Sequence, residues 1–98
     1  MFKQNVKFKI DDDAMFTRLD DETIIYNNKT SYYYTLNEIG SEIFKLISDD
    51  LTFGEIVKTI YENHKTDIGI DTVKNDVFEI LNDLIEEKII KKVDGHSK

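Results

Sequence analysis

The sequence contains no Cys, no Pro and no Trp among its 98 residues. Without Cys there are no disulfides and no thiolate chemistry, and nothing indicates an oxidising compartment. Long apolar runs are also missing. Lys and Asp interrupt the N-terminal segment MFKQNVKFKIDDD, which argues against a signal peptide and a membrane span. We therefore expect one cytoplasmic domain, residues 1–98, with no membrane partner.

Basic residues are scarce too: 13 Lys and Arg stand against 20 Asp and Glu, which gives a formal net charge of −7. Proteins that bind nucleic acid neutralise the phosphate backbone with Lys and Arg. This balance therefore argues against nucleic acid as the main partner. Two interpretations of the acidic surface remain open. It keeps the protein soluble, or it attracts a basic partner.

Motifs that carry catalysis or bind cofactors are also absent. The sequence has no glycine-rich phosphate loop, no nucleophile motif and no cluster of metal ligands. Residues 11–13 are three Asp and are predicted to form a turn, because the central Gly and closing Glu of a calcium loop do not follow. His64 and His96 have no catalytic partner nearby in the sequence and are predicted to lie on the surface. We expect a protein that is not an enzyme and that holds no cofactor and no metal.

A change of period within residues 32–47, YYYTLNEIGSEIFKLI, is the most informative feature that is present. Tyr32, Tyr34 and Leu36 recur at every second position, which is typical of a strand. From residue 39 onward the apolar positions follow helical spacing. Asn37 stands at the join and is a favourable helix N-cap. A strand is therefore predicted to run almost directly into a helix, and Gly40 to mark the close approach of another element.

Alternating patterns and turn residues predict strands at residues 1–10, 14–19, 23–26 and 30–35, and the last of these is the strand that runs into the helix. Turns are expected at residues 20–21 and, as a hairpin turn carried by Asn, at residues 27–29. The strand within residues 1–10 is short and near a terminus, where strands fray. Residues 89–93 are compatible with a final short strand, and residues 94–98 with a frayed tail.

Two further helices follow the first. Thr52 and Glu55 form a capping box that begins the second helix, which ends near Asn63. Ile68 and Ile70 are expected to anchor the next loop on the core. Asp71 or Thr72 is expected to cap the third helix, whose apolar stripe consists of Val73, Val77, Ile80, Leu81, Leu84 and Ile85.

This order predicts an α+β fold, a three-stranded antiparallel sheet followed by three helices, similar to a winged helix-turn-helix. In a DNA reader the third helix would enter the major groove. Residues 73–88 instead carry five acids against two bases. The shape is therefore expected to serve a ligand other than DNA. A winged-helix transcription regulator remains the alternative interpretation.

The ordered features resemble the PqqD family (coenzyme PQQ synthesis protein D) over residues 14–93. The resemblance rests on Leu36-Asn37 with Gly40 and Ile43-Phe44, Thr52 with Glu55-Ile56, Tyr61, Asp76-Val77, Leu81, Leu84 and Ile89-Ile90. Two features depart from it. The strand at residues 31–35 is unusually aromatic, and residues 1–13 form an N-terminal extension for which the resemblance offers no role.

The resemblance implies a recognition module for the leader of a ribosomally made precursor peptide. The leader would add as a strand beside the third strand of the sheet, residues 31–35, in a groove closed by the third helix. We therefore expect this third strand to be an edge strand whose backbone is open on one side. A maturation enzyme, a radical S-adenosylmethionine enzyme or another maturase, would then modify the peptide. The implied peptide-binding residues are Ser31, Tyr32, Tyr33, Tyr34, Thr35, Val73, Val77, Ile80, Leu81 and Leu84. Some of these also fit a core. We expect two of Tyr32, Tyr34 and Leu36 to be buried there, with Tyr33 exposed or at the rim. Val77, Leu81 and Leu84 are expected to be mostly core as well.

Overall fold

The computed structural model describes residues 1–64 and 69–93, and this part of the chain forms five strands and three helices. The elements are β1 (Lys7–Ile10), β2 (Ala14–Leu19), β3 (Glu22–Asn27), β4 (Tyr32–Leu36), α1 (Glu38–Ser48), α2 (Phe53–Asn63), α3 (Ile70–Glu86) and β5 (Ile90–Val93). Ile68, His96 and the predicted tail lie outside the described residues. No helix in residues 1–64 and 69–93 is long and apolar enough to cross a membrane.

Strands β2, β3 and β4 form an antiparallel meander in that order, and α1 to α3 follow it. The predicted α+β class, with three strands before three helices, is confirmed. A second sheet pairs β1 with β5, from Lys7 opposite Val93 to Ile10 opposite Ile90. This pairing joins the two ends of the described chain, which sequence spacing alone could not indicate because the strands are distant in sequence.

Residues 1–13 belong to the packed structure. Val6 and Phe8 are buried, and the Phe2 ring packs edge-on against Phe8 and Phe53, with centroids 5.1 and 5.4 Å away. The Val6 carbonyl also accepts a hydrogen bond from the Phe53 N–H at 2.7 Å. The N-terminal strand is thus held at the start of α2 as well as by β5.

The strand-to-helix junction forms as predicted. The Asn37 side chain caps α1 by accepting a hydrogen bond from the Gly40 N–H at 2.9 Å. A Cβ on Gly40 would lie 3.0 Å from the Leu36 side chain, so the end of β4 is the element that approaches this glycine. The capping box of α2, Thr52 with Glu55, is also confirmed in both directions.

The start of α3 differs from the prediction. Gly69 occupies the N-cap without a side-chain cap, and the helix begins at Ile70 rather than after Asp71 or Thr72. Ile70 is 47% exposed, so its predicted anchoring on the core is wrong. Once Ile70 has entered the first helical turn, its position is set by the helix and not by the preceding loop.

The β3–β4 hairpin also differs in detail. Its positive φ of 64° falls on Ser31, not on an Asn. Asn27 instead lies at the end of β3, buried, and its side-chain oxygen accepts a hydrogen bond from the Lys29 N–H at 2.8 Å. The Asn side chain therefore shapes the turn by bonding to the backbone two residues on, as in an Asx turn.

Candidate functional site

Strand β4 lies at an edge of the three-stranded sheet. Its register with β3 runs from Tyr32 opposite Asn27 to Leu36 opposite Thr23. Within residues 1–64 and 69–93 no strand pairs with its other side. An edge strand presents a row of N–H and C=O groups that can pair with an added chain. The expectation that the third strand of the meander is an open edge is confirmed.

Side chains of β4 alternate between the helix side and the outer side of the sheet. Tyr32, Tyr34 and Leu36 point to the helix side, in register with the buried Asn27, Ile25 and Thr23 of β3. Leu36 is buried and Tyr34 is half-buried against the core, whereas Tyr32 is 71% exposed. Tyr33 and Thr35 point outward and are exposed, as the parity predicted for Tyr33.

Helix α3 supplies two different apolar surfaces. Val77, Leu81 and Leu84 are buried in the core, so these three predicted peptide-binding side chains are not accessible in this structure. Val73 and Ile80 are half-buried. By helical spacing they share one flank with carboxylates. We call this stripe the α3 flank, and it consists of Val73, Asp76, Ile80, Asp83 and Glu87.

The C-terminal end of the α3 flank lies near β4. Burial raises the pKa of the Tyr34 hydroxyl, and the nearby charges of Asp83 and Glu87 raise it further. Asn27 fixes the same geometry, since its side-chain amide donates to the carbonyl oxygens of Glu87 and Lys88 at 3.2 and 3.1 Å. The C-terminal end of α3 is therefore tied to the β3–β4 hairpin, beside the open edge.

Sequence reasoning did not assign Asn27 this structural role, nor Asp83 and Glu87 a place beside Tyr34. A signal for Asn27 existed, because it shares the parity of Thr23 and Ile25 on β3. A buried Asn needs partners for its amide group. Asp83 and Glu87 could be placed beside Tyr34 only once it was known that the end of α3 lies near β4.

The open edge of β4 and the end of the α3 flank leave a region that an extended peptide can occupy, and we call it the groove. Tyr34 and the unpaired backbone of β4 border it on one side, and Asp83 and Glu87 border it on the other. Backbone hydrogen bonds supply affinity in strand addition, and pockets for alternate side chains supply specificity. Asp83 and Glu87 at the rim favour basic side chains on the peptide.

His64 is not the free surface residue that was predicted. It is half-buried at the end of α2, and its Nε2 lies 2.6 Å from Glu42 on α1. Burial acts to raise the pKa of Glu42, but hydrogen bonds from Asn63 and His64 outweigh it and lower the pKa. This pair joins the ends of two helices. In the described ranges no three acidic or His side chains cluster as metal ligands would.

The fold and this groove define a class: a winged helix-turn-helix domain whose sheet edge lies open beside an acidic third helix. The family model of coenzyme PQQ synthesis protein D (PqqD) matches residues 22–90. The match covers more than half of the chain, and the chain belongs to the PqqD family. The resemblance seen in the sequence is thereby confirmed. No curated protein matches the chain.

Two solved structures are similar to this chain. One is TbiB1 in complex with the TbiA(beta) leader peptide, which is 26% identical, with a TM-score of 0.79 over 92% of this chain and 99% of that chain. The other is a lasso peptide synthetase B1 complexed with the leader peptide, with a TM-score of 0.77 over 87% of this chain and 98% of that chain. The second is 12% identical, so its similarity establishes the fold alone.

Proposed function

We propose that this protein is a non-catalytic cytoplasmic module that binds the leader of a ribosomally made precursor peptide and presents the peptide to a maturation enzyme. The observation that carries the proposal is the open edge of β4 beside the α3 flank. Support comes from the PqqD family match and from a 26% identical structure that contains a leader peptide.

In the proposed complex the leader lies along residues 31–35 as a fourth strand of the meander. Its backbone pairs with the outward N–H and C=O groups of β4. Side chains that point to the helix side enter the groove between Tyr34 and Ile80. Val73 lines the continuation of that groove, because it lies on the α3 flank two turns before Ile80.

The rim of the groove favours positively charged side chains on the leader. Asp76, Asp83 and Glu87 are exposed carboxylates on the α3 flank, so a leader with Lys or Arg near the groove is favoured. The same carboxylates would repel a phosphate backbone. No observation favours the alternative of a DNA-binding regulator.

Hydrogen exchange tests the proposal directly. The probe is a synthetic leader of the candidate precursor peptide, which is sought among short genes beside the gene of this protein. Its binding is measured by fluorescence anisotropy, and amide exchange is followed on the unlabelled protein. We expect slower exchange at the outward-facing amides of residues 32–36. If the leader binds and these amides keep their exchange rates, the peptide does not pair with β4.

Specificity is tested by an anisotropy titration in which duplex DNA replaces the leader. A true phosphate contact gives a steep loss of affinity as salt rises. We expect no saturable DNA binding. Saturable binding with that steep dependence would favour the transcription regulator instead.

A further inference from the structure

The side of the meander that faces away from the helices carries a second apolar surface. Alternation along β3 buries Thr23, Ile25 and Asn27 and turns Ile24 and Tyr26 outward. Register places two rows of three side chains on this side. We call them the outer sheet face: Met15, Tyr26 and Tyr33 in one row, and Thr17, Ile24 and Thr35 in the other.

These six positions carry no charge, in a chain of which 34% is charged. The next pair of the same parity, Leu19 opposite Glu22, brings a carboxylate to one end of the face. Met15 is 59% exposed and Tyr33 is 72% exposed. The Tyr26 and Tyr33 rings contact each other with centroids 4.9 Å apart. A hollow of about 420 Å³ lies on this face between Met15, Ile24 and Tyr33. The solvated face of an antiparallel sheet is ordinarily polar, so the group formed by Met15, Ile24, Tyr26 and Tyr33, with a Thr on either side of Ile24, indicates a contact surface.

Neither the fold nor the proposed groove accounts for this face. The side chains of β3 that pack in the core are those of the opposite parity. The groove lies between the edge of β4 and the α3 flank, on the helix side. Tyr33 and Thr35 nevertheless stand on β4 itself. A leader strand added to β4 would lie about 4.8 Å from that strand, immediately beside the outer sheet face.

Charge indicates what covers the face. Asp20, Asp21 and Glu22 border one end of it, at the β2–β3 turn, and all three are exposed. The whole chain carries a net charge of −7, so two copies placed face to face would repel each other. A partner with an apolar patch bordered by Lys or Arg fits both the face and its acidic end.

Size indicates how the partner binds. A stable interface uses about 20 to 30 residues on each side, and the outer sheet face offers six. It therefore suits a partner that associates transiently or that also contacts a neighbouring element. The enzyme that modifies the precursor must approach the bound leader, and a leader on β4 lies beside this face.

We infer that the outer sheet face is the docking surface for the maturation enzyme, through an apolar patch on that enzyme bordered by basic residues. The inference rests on the proposed function. It assigns the two sides of the meander to two partners: the leader at the edge and helix side, the enzyme on the outer side.

Lysine substitutions on β2 and β3 test the inference without touching the groove. Met15→Lys and Ile24→Lys place a cation on the apolar face, where it also opposes the basic border of the enzyme. The probe is the purified candidate maturation enzyme, which is sought among the genes beside that of this protein. Its affinity is measured with and without the synthetic leader, and leader affinity is measured separately by anisotropy. Circular dichroism confirms that each variant is folded.

We expect each lysine variant to lose enzyme affinity by about tenfold or more, as when a buried apolar anchor is removed, with leader affinity unchanged. Met15→Leu keeps an apolar side chain at this position and should bind the enzyme as the wild type does. Asn75→Lys, on the solvent side of α3, is the matched control and should bind both partners normally.

Three results would overturn the inference: no binding of the enzyme to the wild-type protein, unchanged enzyme affinity in both folded lysine variants, or an equal loss in Asn75→Lys. A wild-type dimer that becomes monomeric in Met15→Lys, with enzyme affinity unchanged, would assign the face to a second copy instead. Failure of the proposed function is seen separately, as a wild-type protein that does not bind the leader.

Discussion

Helix α3 has two apolar sides that differ in what covers them. Val77, Leu81 and Leu84 are enclosed by the core, whereas Val73 and Ile80 stay half-buried on a flank that also carries carboxylates. Strand β4 shows the same division, since one edge is paired to β3 and the other is open within the described part of the chain. The enclosed sides hold the domain together. The partly open sides leave half-buried side chains on α3 and unpaired backbone groups on β4 available to a ligand. Changes to the two sides should therefore separate stability from binding.

The largest separation is expected from proline in β4. Along an antiparallel strand successive N–H groups point alternately to the paired neighbour and to the open side. Pro removes one N–H and is tolerated where that N–H faces outward. Of Tyr33→Pro and Tyr34→Pro, one should therefore unfold much of the domain. The other should stay folded by circular dichroism and lose the leader.

Tyr33→Val and Tyr34→Val are the controls, because each removes the ring and keeps the N–H. A valine variant that binds the leader while the folded proline variant does not assigns the loss to the backbone. If both proline variants fold and bind the leader, the peptide does not pair with β4, and the proposed function is wrong in its central step.

The second contrast lies within α3. Leu81 is fully buried, so Leu81→Ala should lower the free energy of unfolding by about 2 to 5 kcal/mol, measured by denaturant or thermal melting. Ile80→Ala should cost less stability and should weaken leader binding by about 1 to 2 kcal/mol, the transfer free energy of the apolar atoms it removes. Unchanged melting of Leu81→Ala would place Leu81 outside the core and make it a candidate for the groove wall.

Local features of this fold could be predicted from the sequence. The cap at Asn37, the box of Thr52 and Glu55, and the strand period around Tyr34 each depend on residues within four positions of one another. The buried members of the α3 stripe follow from helical spacing in the same way. The period could not show which stripe members stay open, because burial of Ile80 and Leu81 depends on elements that pack against α3.

Features that depend on distant partners could not be predicted. The sequence pattern gives β1 and β5 as separate strands, and nothing local indicates that Ile10 lies opposite Ile90. Asn27 was assigned to a turn because Asn favours turns. Its bonds to the end of α3, 60 and 61 residues away, exist only in the folded chain. The open edge followed from strand order, whereas the acidic rim beside Tyr34 did not.

Tyr34 provides a titration that tests its place beside α3. Its pKa is raised above 10.0 by burial and by the charges of Asp83 and Glu87. The neutral phenol is therefore favoured in the folded state. Its contribution to stability is present below the ordinary tyrosine pKa and is lost as pH rises through the raised value.

The measurement is a spectrophotometric titration at alkaline pH, with folding followed in parallel by circular dichroism. We expect the wild-type protein to show a late component that ionises above the ordinary tyrosine pKa, and we expect this component to disappear in Tyr34→Phe. The Tyr34→Phe variant should also lose less stability above pH 10.0 than the wild type. A late component that persists in Tyr34→Phe would mean that Tyr34 does not lie beside the carboxylates of α3.

The smallest effect is expected from charge at the groove rim, where Asp83 and Glu79 form a matched pair. Both are exposed acids on α3, but Asp83 lies near Tyr34 and Glu79 lies toward the solvent side by helical spacing. An exposed ion pair with a Lys or Arg of the leader contributes about 0 to 1 kcal/mol. Asp83→Asn should weaken leader binding by that amount at low salt, and Glu79→Gln should leave the affinity unchanged.

Because salt screens exposed charges, wild-type affinity should fall modestly as salt rises and converge on that of Asp83→Asn. Equal losses in both variants would mean that the net charge of the domain, rather than the rim beside Tyr34, attracts the leader. A salt-independent wild-type affinity would mean that apolar contacts and strand pairing alone hold the peptide.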